Sequence, residues 1–252
     1  HCFNCSFKAS YTPGFHLNYK FRKLLSWLGA DDNTIRRLVI DAVRVKDLVG
    51  IVENVVPVEK VAVTFKPRPL PAEARDLFTL NTFYTLNNDR DVPKEYHDVV
   101  RYVANRTINI QKYPFYWTPE TANNMNKRVI IPFTWENEII GYTSRAIVDG
   151  IKPKYYNSHE PNFVFNVDKQ LLDSKFVIVC EGAFDAMSVD GVAVLSNQCS
   201  EPQADIIDSL GREVILVPDA DQAGSKLIDD ALEYGWTVSF PTWLGACKDI
   251  NE

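Results

Sequence analysis

The second part of the chain alternates short apolar runs with amphipathic stretches, and this alternation constrains the fold more than any other sequence feature. The apolar runs are "FVIVC", "GVAVL", "EVILVP" and "WTVSF", and the helical stretches between them are "AFDAMSV", "PQADIIDSL" and "AGSKLIDDALEYG". Strands that alternate with helices predict parallel βαβ units with the sheet buried between helices. Ligands bind such a sheet at the carboxyl ends of its strands.

The first part of the chain has a different pattern of apolar residues and prolines. Helical spacing of apolar residues predicts one helix over 17–29 and a second that starts behind Asp31 or Asp32 and runs through "IRRLVIDAVRV". We expect a further helix in "EYHDVVRYVANR" and two antiparallel strands in "RVIIPFTWENEIIGYTSRAI", with a turn at 136–138. Three prolines within residues 67–71 forbid regular structure and indicate a linker.

Formal charge is distributed unevenly along the chain. Residues 1–160 carry a net charge of +5 and residues 161–252 a net charge of -11, which together give the overall -6. Such asymmetry favours a polyanion-binding region beside a cation-binding region. Two differently solvated surfaces would produce the same pattern, so charge alone leaves both interpretations open.

The composition indicates a soluble globular protein. The chain has 252 residues, 46% of them hydrophobic, which is enough for one large or two small cores. No apolar stretch approaches the roughly 20 residues that span a bilayer, so we expect no membrane association. Five cysteines, three of them scattered singly, do not suggest a disulfide framework and favour a reducing, cytoplasmic setting. Because the sequence starts at His1 and a cysteine pair follows at once, we expect it to be a fragment.

Acidic side chains follow three of the predicted strands. Glu181 and Asp185 follow "FVIVC", Asp219 and Asp221 follow "EVILVP", and Asp249 follows "WTVSF". Any one of them could simply cap a helix or lie on the surface. If the strands are parallel neighbours, however, all five gather at one edge, where they would repel one another without cations. Magnesium suits such a site, because it takes a few carboxylates and leaves other positions to water and substrate phosphates.

The segments "EGAFDA", "VPDADQAG" and "KDINE" resemble, in this order, the three signature segments of the Toprim domain of primases, topoisomerases and some nucleases. The resemblance covers about residues 170–252. It implies Glu181 as the Toprim glutamate, acting as acid/base or as ligand, and Asp219 and Asp221 as the principal metal ligands. Asp185 and Asp249 would support or extend the metal site. Bacterial replicative primases have Asp where this chain has Asn251, whose oxygen can still coordinate a metal without the charge.

The upstream half selects among Toprim proteins. "HCFNC" resembles the second half of the zinc ribbon that precedes the catalytic core of primases, with Cys2 and Cys5 as zinc ligands and the other ligands missing upstream. The strand pair before the Toprim segment is similar to the primase core, and Lys248 belongs to the third Toprim segment. On that pattern the following residues would bind template or substrate: Arg128, Arg145, Lys154, Tyr155, Asn157 and Lys248. A solvated hairpin edge is the alternative for the strand pair.

These segments follow one another in the order found in primases, and their short spacings are most similar to those of the DNA primases of tailed bacteriophages. That resemblance implies an α/β fold in which a Toprim domain with a parallel βαβ sheet follows a smaller mixed α+β basic subdomain and a partial zinc ribbon with helices. The implied segments are residues 1–65 for the partial ribbon and helices, 66–71 for the linker, 72–165 for the basic subdomain and 166–252 for the Toprim domain.

The resemblance further implies an activity, cofactors and partners. The activity is synthesis of short RNA primers on single-stranded DNA from ribonucleoside triphosphates. The reaction is nucleotidyl transfer with two Mg²⁺ or Mn²⁺ ions. A complete ribbon would also bind zinc. A replicative helicase is the expected protein partner, and the cytoplasm of a phage-infected bacterium is the expected location. A Toprim nuclease, a topoisomerase and a non-catalytic DNA-binding or helicase-loading relative are the alternatives. We expect Asp219 to be the first ligand and Asp221 to combine metal binding with capping of a helix that starts near Gln222.

Overall fold

The computed structural model describes residues 7–11, 17–49, 63–79, 92–119, 125–170, 174–241 and 247–251. Two sheets organise these residues. The first is antiparallel, with the order β1-β2-β3-β4-β5. Its strands are β1 (Arg75–Asp76), β2 (Tyr116–Trp117), β3 (Arg128–Trp135), β4 (Glu138–Ala146) and β5 (Tyr155–Ser158).

The second sheet is parallel, as the alternating pattern predicts. Its order is β7-β6-β8-β9, and every neighbouring pair runs in the same direction. Its strands are β6 (Phe176–Cys180), β7 (Val192–Ala193), β8 (Glu213–Leu216) and β9 (Thr237–Val238). The prediction of an α/β fold with a parallel sheet is therefore confirmed.

The helices lie where apolar spacing predicts them, and capping side chains set several of their starts. The described helices are α1 (Tyr19–Trp27), α2 (Asp32–Val49), α3 (Lys94–Asn105), α4 (Ala183–Ser188), α5 (Glu201–Asp208) and α6 (Gln222–Tyr234), with a short 3₁₀ turn at Val167–Lys169. Asp31 caps α2, because its Oδ1 accepts a hydrogen bond from the Thr34 amide at 2.8 Å. None of the helices in the described part of the chain combines the length and the apolar character needed to cross a membrane.

The strand pair β3 and β4 turns at Glu136 and Asn137, within the predicted turn. Both residues have positive φ angles, 50° and 69°, as a tight hairpin turn between twisted strands requires. The two strands pair from Arg128 opposite Ala146 to Trp135 opposite Glu138. This hairpin forms the centre of the antiparallel sheet.

Two apolar clusters hold the described part of the chain together. One joins the antiparallel sheet and α3 to α4 and one face of the parallel sheet; Phe133 and Phe184 are both part of it. The other lies on the opposite face of the parallel sheet, against α5 and α6. Because the parallel sheet is covered on both faces, the residues of its strands are mostly apolar, which explains the short apolar runs in the sequence.

Helix α1 packs on the second cluster through Tyr19. Its ring lies 5.0 Å from the ring of Tyr234, and its amide donates to Asp208 Oδ2 at 3.2 Å. Lys20 Nζ lies 2.5 Å from Asp205 Oδ2. The four-segment division of the chain remains a prediction, but α1 shares its core with the parallel sheet.

The proline-rich linker residues have neither helix nor strand, as predicted, and they lie on the antiparallel sheet. The Arg68 amide donates to the Ile139 carbonyl at 3.2 Å. Just before them, the Phe65 ring packs edge-on against the rings of Trp135 and Phe163, with centroid distances of 5.3 and 5.4 Å. These contacts attach the linker to the core.

Candidate active site

The predicted acidic residues converge at the carboxyl end of the parallel sheet. Glu181 directly follows β6, and Asp185 lies in the first turn of α4. Asp219 follows β8, and Asp221 precedes α6. The third segment joins the second through the Ala220 amide, which donates to the Lys248 carbonyl at 2.7 Å.

All five acids line one cavity of about 380 Å³, and the antiparallel sheet supplies its opposite wall. Five of the six predicted template- or substrate-binding residues line the same cavity: Arg145, Lys154, Tyr155, Asn157 and Lys248. Strands β4 and β5 place four wall side chains together, because Arg145 is paired with Tyr155 and Thr143 with Asn157. A cation-rich wall therefore faces a carboxylate-rich edge.

Two glycines allow the acidic edge to be crowded. A Cβ atom on Gly182 would lie 2.5 Å from Asp185 Oδ2, and one on Gly224 would lie 2.3 Å from the Asp219 carbonyl oxygen. Asp221 Oδ1 accepts a hydrogen bond from the Gly224 amide at 3.1 Å, so Asp221 caps α6, and α6 begins at Gln222 as expected. The glycines thus let two backbone segments approach the carboxylates closely.

Burial and the charges of neighbouring carboxylates raise the pKa of two carboxyl groups in this cluster, those of Asp185 and Glu181. The pKa of Asp185 is raised to about 7, first by burial and then by the charges of Asp249 and Asp219. Burial, followed by the charge of Asp221, raises the pKa of Glu181. Both shifts have the direction that burial and neighbouring like charges produce in a carboxyl group.

Two buried oxygens in the cluster are available to a ligand. Glu181 Oε2 and Asp185 Oδ1 are both buried and have no hydrogen-bond partner among the described residues. Unsatisfied buried carboxylate oxygens are costly unless a cation binds them. A divalent cation would coordinate both of these oxygens and would offset the repulsion between the carboxylates.

The described residues do not by themselves form a complete set of metal ligands. Among the described residues, no three His, Cys, Asp or Glu side chains are arranged as a ready set of ligands. This arrangement fits magnesium, which keeps several waters and binds through one or two carboxylates together with substrate phosphates. It does not fit a structural metal that needs four protein ligands.

The wall opposite the acids combines cations with aromatic rings. The guanidinium of Arg145 lies 5.0 Å from the Tyr155 ring centroid, and one of its nitrogens donates to the Tyr155 hydroxyl. Thr143 Oγ1 donates to Asn157 Oδ1 at 2.6 Å, which orients the Asn157 amide. Such a wall can bind phosphate through its charges and a base through its rings.

Arg128 does not line this cavity, contrary to the sequence prediction. Its side chain is 2% exposed, and its guanidinium donates to the carbonyls of Pro153 at 2.6 Å, Ser144 at 3.3 Å and Lys154 at 3.4 Å. These hydrogen bonds hold the segment that leads into β5, so Arg128 helps to position Lys154 and Tyr155.

Replacing Arg128 with Met is expected to destabilise the fold. The loss of bonds to three main-chain carbonyls should lower the free energy of unfolding by about 3 kcal/mol in urea titrations followed by circular dichroism. Arg101→Met is a matched control, because the Arg101 side chain is 75% exposed, and its effect should stay within about 0.5 kcal/mol. An Arg128→Met protein that is as stable as wild type but binds DNA weakly would instead make Arg128 a nucleic-acid ligand.

Arg106 and Thr143 also line the cavity, and neither is predicted from the sequence. Arg106 is the C-cap of α3 and directly follows its last residue, Asn105. A basic residue at a helix end is common, since it interacts favourably with the helix dipole. Sequence contains no local signal that would distinguish this arginine from an ordinary helix end.

The predicted zinc ligands Cys2 and Cys5 lie outside the described residues. Zinc binding by this segment therefore remains a prediction.

Comparison with known proteins relates the chain to Toprim proteins and primases. Residues 178–252 match the Toprim-like family, which covers the three acidic segments. Over 146 residues the chain is 27% identical to the DNA primase of Aquifex aeolicus, a match that covers 50% of this chain and 29% of the primase. The chain thus contains a Toprim-like segment and is homologous to a DNA primase over half its length, while it spans less than a third of that relative.

Solved structures share the fold. The zinc-binding and RNA polymerase domains of the Aquifex aeolicus primase superpose with a TM-score of 0.51 at 19% identity, covering 98% of this chain and 73% of that one. The RNA polymerase domain of the Mycobacterium tuberculosis primase DnaG superposes with a TM-score of 0.51 at 17% identity, covering 69% and 76%. Both likenesses concern the arrangement of the chain rather than its chemistry.

Proposed function

We propose that this protein synthesises short RNA primers on a single-stranded DNA template from ribonucleoside triphosphates. One observation carries the proposal: a carboxylate-rich edge and a wall of cations and aromatic rings face each other across one cavity. Nucleotidyl transfer needs both, because a triphosphate and a nucleic-acid strand are polyanions that must approach metal-binding carboxylates. The homology to a DNA primase supports the same conclusion.

The residues divide into three roles in this proposal. Asp219 and Asp221, with Glu181 and Asp249, would hold Mg²⁺ or Mn²⁺. Asp185, which is buried among them, would support this site. These ions would activate the 3′-hydroxyl and neutralise the leaving pyrophosphate.

The remaining cavity residues would bind and orient the polyanions. Arg145, Lys154 and Lys248 are suited to phosphate groups, and Tyr155 to a base or sugar. Fixed charges aimed at the developing phosphate charge supply much of the rate in phosphoryl transfer, and correct alignment supplies much of the rest.

Several finer assignments belong to the same proposal. We place the protein among the primases of tailed bacteriophages, acting in the cytoplasm of the infected bacterium beside a replicative helicase. Cys2 and Cys5 would bind zinc with two further ligands and help to choose the start site. The support for these assignments is the sequence resemblance alone.

The proposed activity is tested with single-stranded DNA, labelled ribonucleotides and Mg²⁺ or Mn²⁺. A dinucleotide paired to the template removes the need for start-site recognition, so the catalytic core is expected to extend it into oligoribonucleotides on a denaturing gel. The products should disappear when the divalent ion is chelated. Cleavage of the DNA without any RNA product would replace the proposal with a Toprim nuclease.

A further inference from the structure

Asn251 occupies the position in the third acidic segment where a bacterial replicative primase has a second aspartate, and its side chain is fully engaged. Its Oδ1 accepts a hydrogen bond from Arg106 Nη1 at 2.5 Å. Its Nδ2 donates to the Arg106 carbonyl at 3.2 Å and to Ser188 Oγ at 2.7 Å. The Asn251 amide therefore forms hydrogen bonds with both the side chain and the main chain of Arg106.

These contacts require an amide rather than a carboxylate. The Ser188 hydroxyl donates its own hydrogen to the Phe184 carbonyl at 3.0 Å, so it can only accept from residue 251. The Arg106 carbonyl can likewise only accept. An aspartate would turn a negative oxygen toward two acceptors, whereas asparagine supplies one acceptor for the guanidinium and donors for the other two groups.

These hydrogen bonds place the Arg106 guanidinium near the same two aromatic rings that the Arg145 guanidinium contacts. The Arg106 guanidinium carbon lies 5.5 Å from the Tyr102 ring centroid and 5.3 Å from that of Phe184. The Arg145 guanidinium carbon lies 5.9 and 5.8 Å from the same two centroids. Both arginines line the cavity that contains the acids. Two cations around one pair of rings favour an anion between or beside them.

We propose that Asn251 is a positioning residue that holds Arg106 in the cavity as a phosphate-binding cation, and that it is not a metal ligand. The phosphate belongs either to the incoming triphosphate or to the template backbone. In this chain Asp249 of the third segment would then belong to the metal site, whereas Asn251 would serve substrate binding. This inference rests on the proposed function, but binding measurements test it without catalysis.

The experiment compares the full chain with Arg106→Gln, Asn251→Leu and the double variant. Titration calorimetry with pyrophosphate in Mg²⁺ measures binding of a triphosphate-like ligand. Fluorescence anisotropy with labelled oligothymidylate measures binding of the template. Lys112→Gln is the matched control, because Lys112 forms an ion pair with Asp190 at 2.6 Å and does not line the cavity. Circular dichroism confirms that each variant is folded.

Each single variant is expected to lower the affinity for one of the two probes, pyrophosphate or oligothymidylate, about tenfold. This is the effect of losing a hydrogen-bonded charge. The double variant should be no weaker than Arg106→Gln, because both changes remove the same positioned cation. Additive losses, or an unchanged affinity of Asn251→Leu for both probes, would overturn the proposal.

Asn251→Asp separates positioning from metal binding. If residue 251 were a metal ligand, an added carboxylate would tighten Mg²⁺ binding, measured by calorimetry with the ion alone. We expect instead that phosphate binding weakens in Asn251→Asp while Mg²⁺ affinity changes less than about threefold. Tighter Mg²⁺ binding with unchanged phosphate affinity would show that residue 251 belongs to the metal site. The absence of primer synthesis would contradict the proposed function but leave these binding results valid.

Discussion

Replacing Asp219 with Asn is expected to reduce primer extension by at least about a thousandfold, which corresponds to about 4 kcal/mol of transition-state stabilisation. Asp219 follows β8 and lines the cavity from the centre of the acidic edge. The amide keeps the shape of the side chain and removes the charge that a divalent ion needs. Extension of a labelled, template-paired dinucleotide at several Mg²⁺ concentrations measures the loss.

The stability of the same variant distinguishes a functional carboxylate from a structural one. Asp219 helps to raise the pKa of Asp185 through repulsion, so removing its charge should leave the melting temperature unchanged or raise it. Asp229→Asn, on the exposed side of α6, is the matched control and should retain activity. A marked fall in melting temperature together with full activity would assign Asp219 a structural role.

Replacing Gly224 with Ala is expected to damage both the fold and the activity. In an ordinary helix this change stabilises by about 1 kcal/mol. Here the new Cβ would lie 2.3 Å from the Asp219 carbonyl oxygen and 3.1 Å from its amide nitrogen, both main-chain atoms. We expect the free energy of unfolding to fall by about 2 kcal/mol, because main-chain atoms cannot rotate away.

Activity should fall further than stability alone explains. A shift of the Asp219 backbone by a fraction of an ångström misplaces the carboxylate, and a misplacement of about 1 Å can cost about a hundredfold in rate. Urea unfolding and dinucleotide extension measure the two effects. Ser225→Ala, one position along the helix and exposed, is the control and should be harmless. A Gly224→Ala protein with full stability and activity would show that the loop before α6 moves freely.

The parallel sheet and its acidic edge could be predicted because their signals are local. An apolar run of strand length followed by a carboxylate specifies both the element and the end at which its side chain lies. The same applies to Asp221, whose place before an amphipathic stretch predicts the helix that it caps.

Arg128 and Arg145 show where such prediction fails. They begin and end the same hairpin, and the sequence makes both equally good candidates for binding a polyanion. Their side chains differ because Arg128 contacts the carbonyls of residues 153 and 154, whereas Arg145 contacts Tyr155 inside the cavity. Hydrogen bonds to main-chain carbonyls leave no residue-specific pattern in the sequence, so only the folded chain distinguishes the two arginines.

By itself the sequence determined the helices and strands, the parallel direction of the strands that precede the acidic segments, and the edge of the sheet at which the carboxylates gather. These follow from apolar periodicity and from the direction of parallel strands. The tertiary structure decided which cations face the acids, that Arg106 is one of them and that Asn251 holds it. The physical reason is that the cavity forms where two sheets and α3 pack together, and residues 145 positions apart, such as Arg106 and Asn251, meet only through that packing.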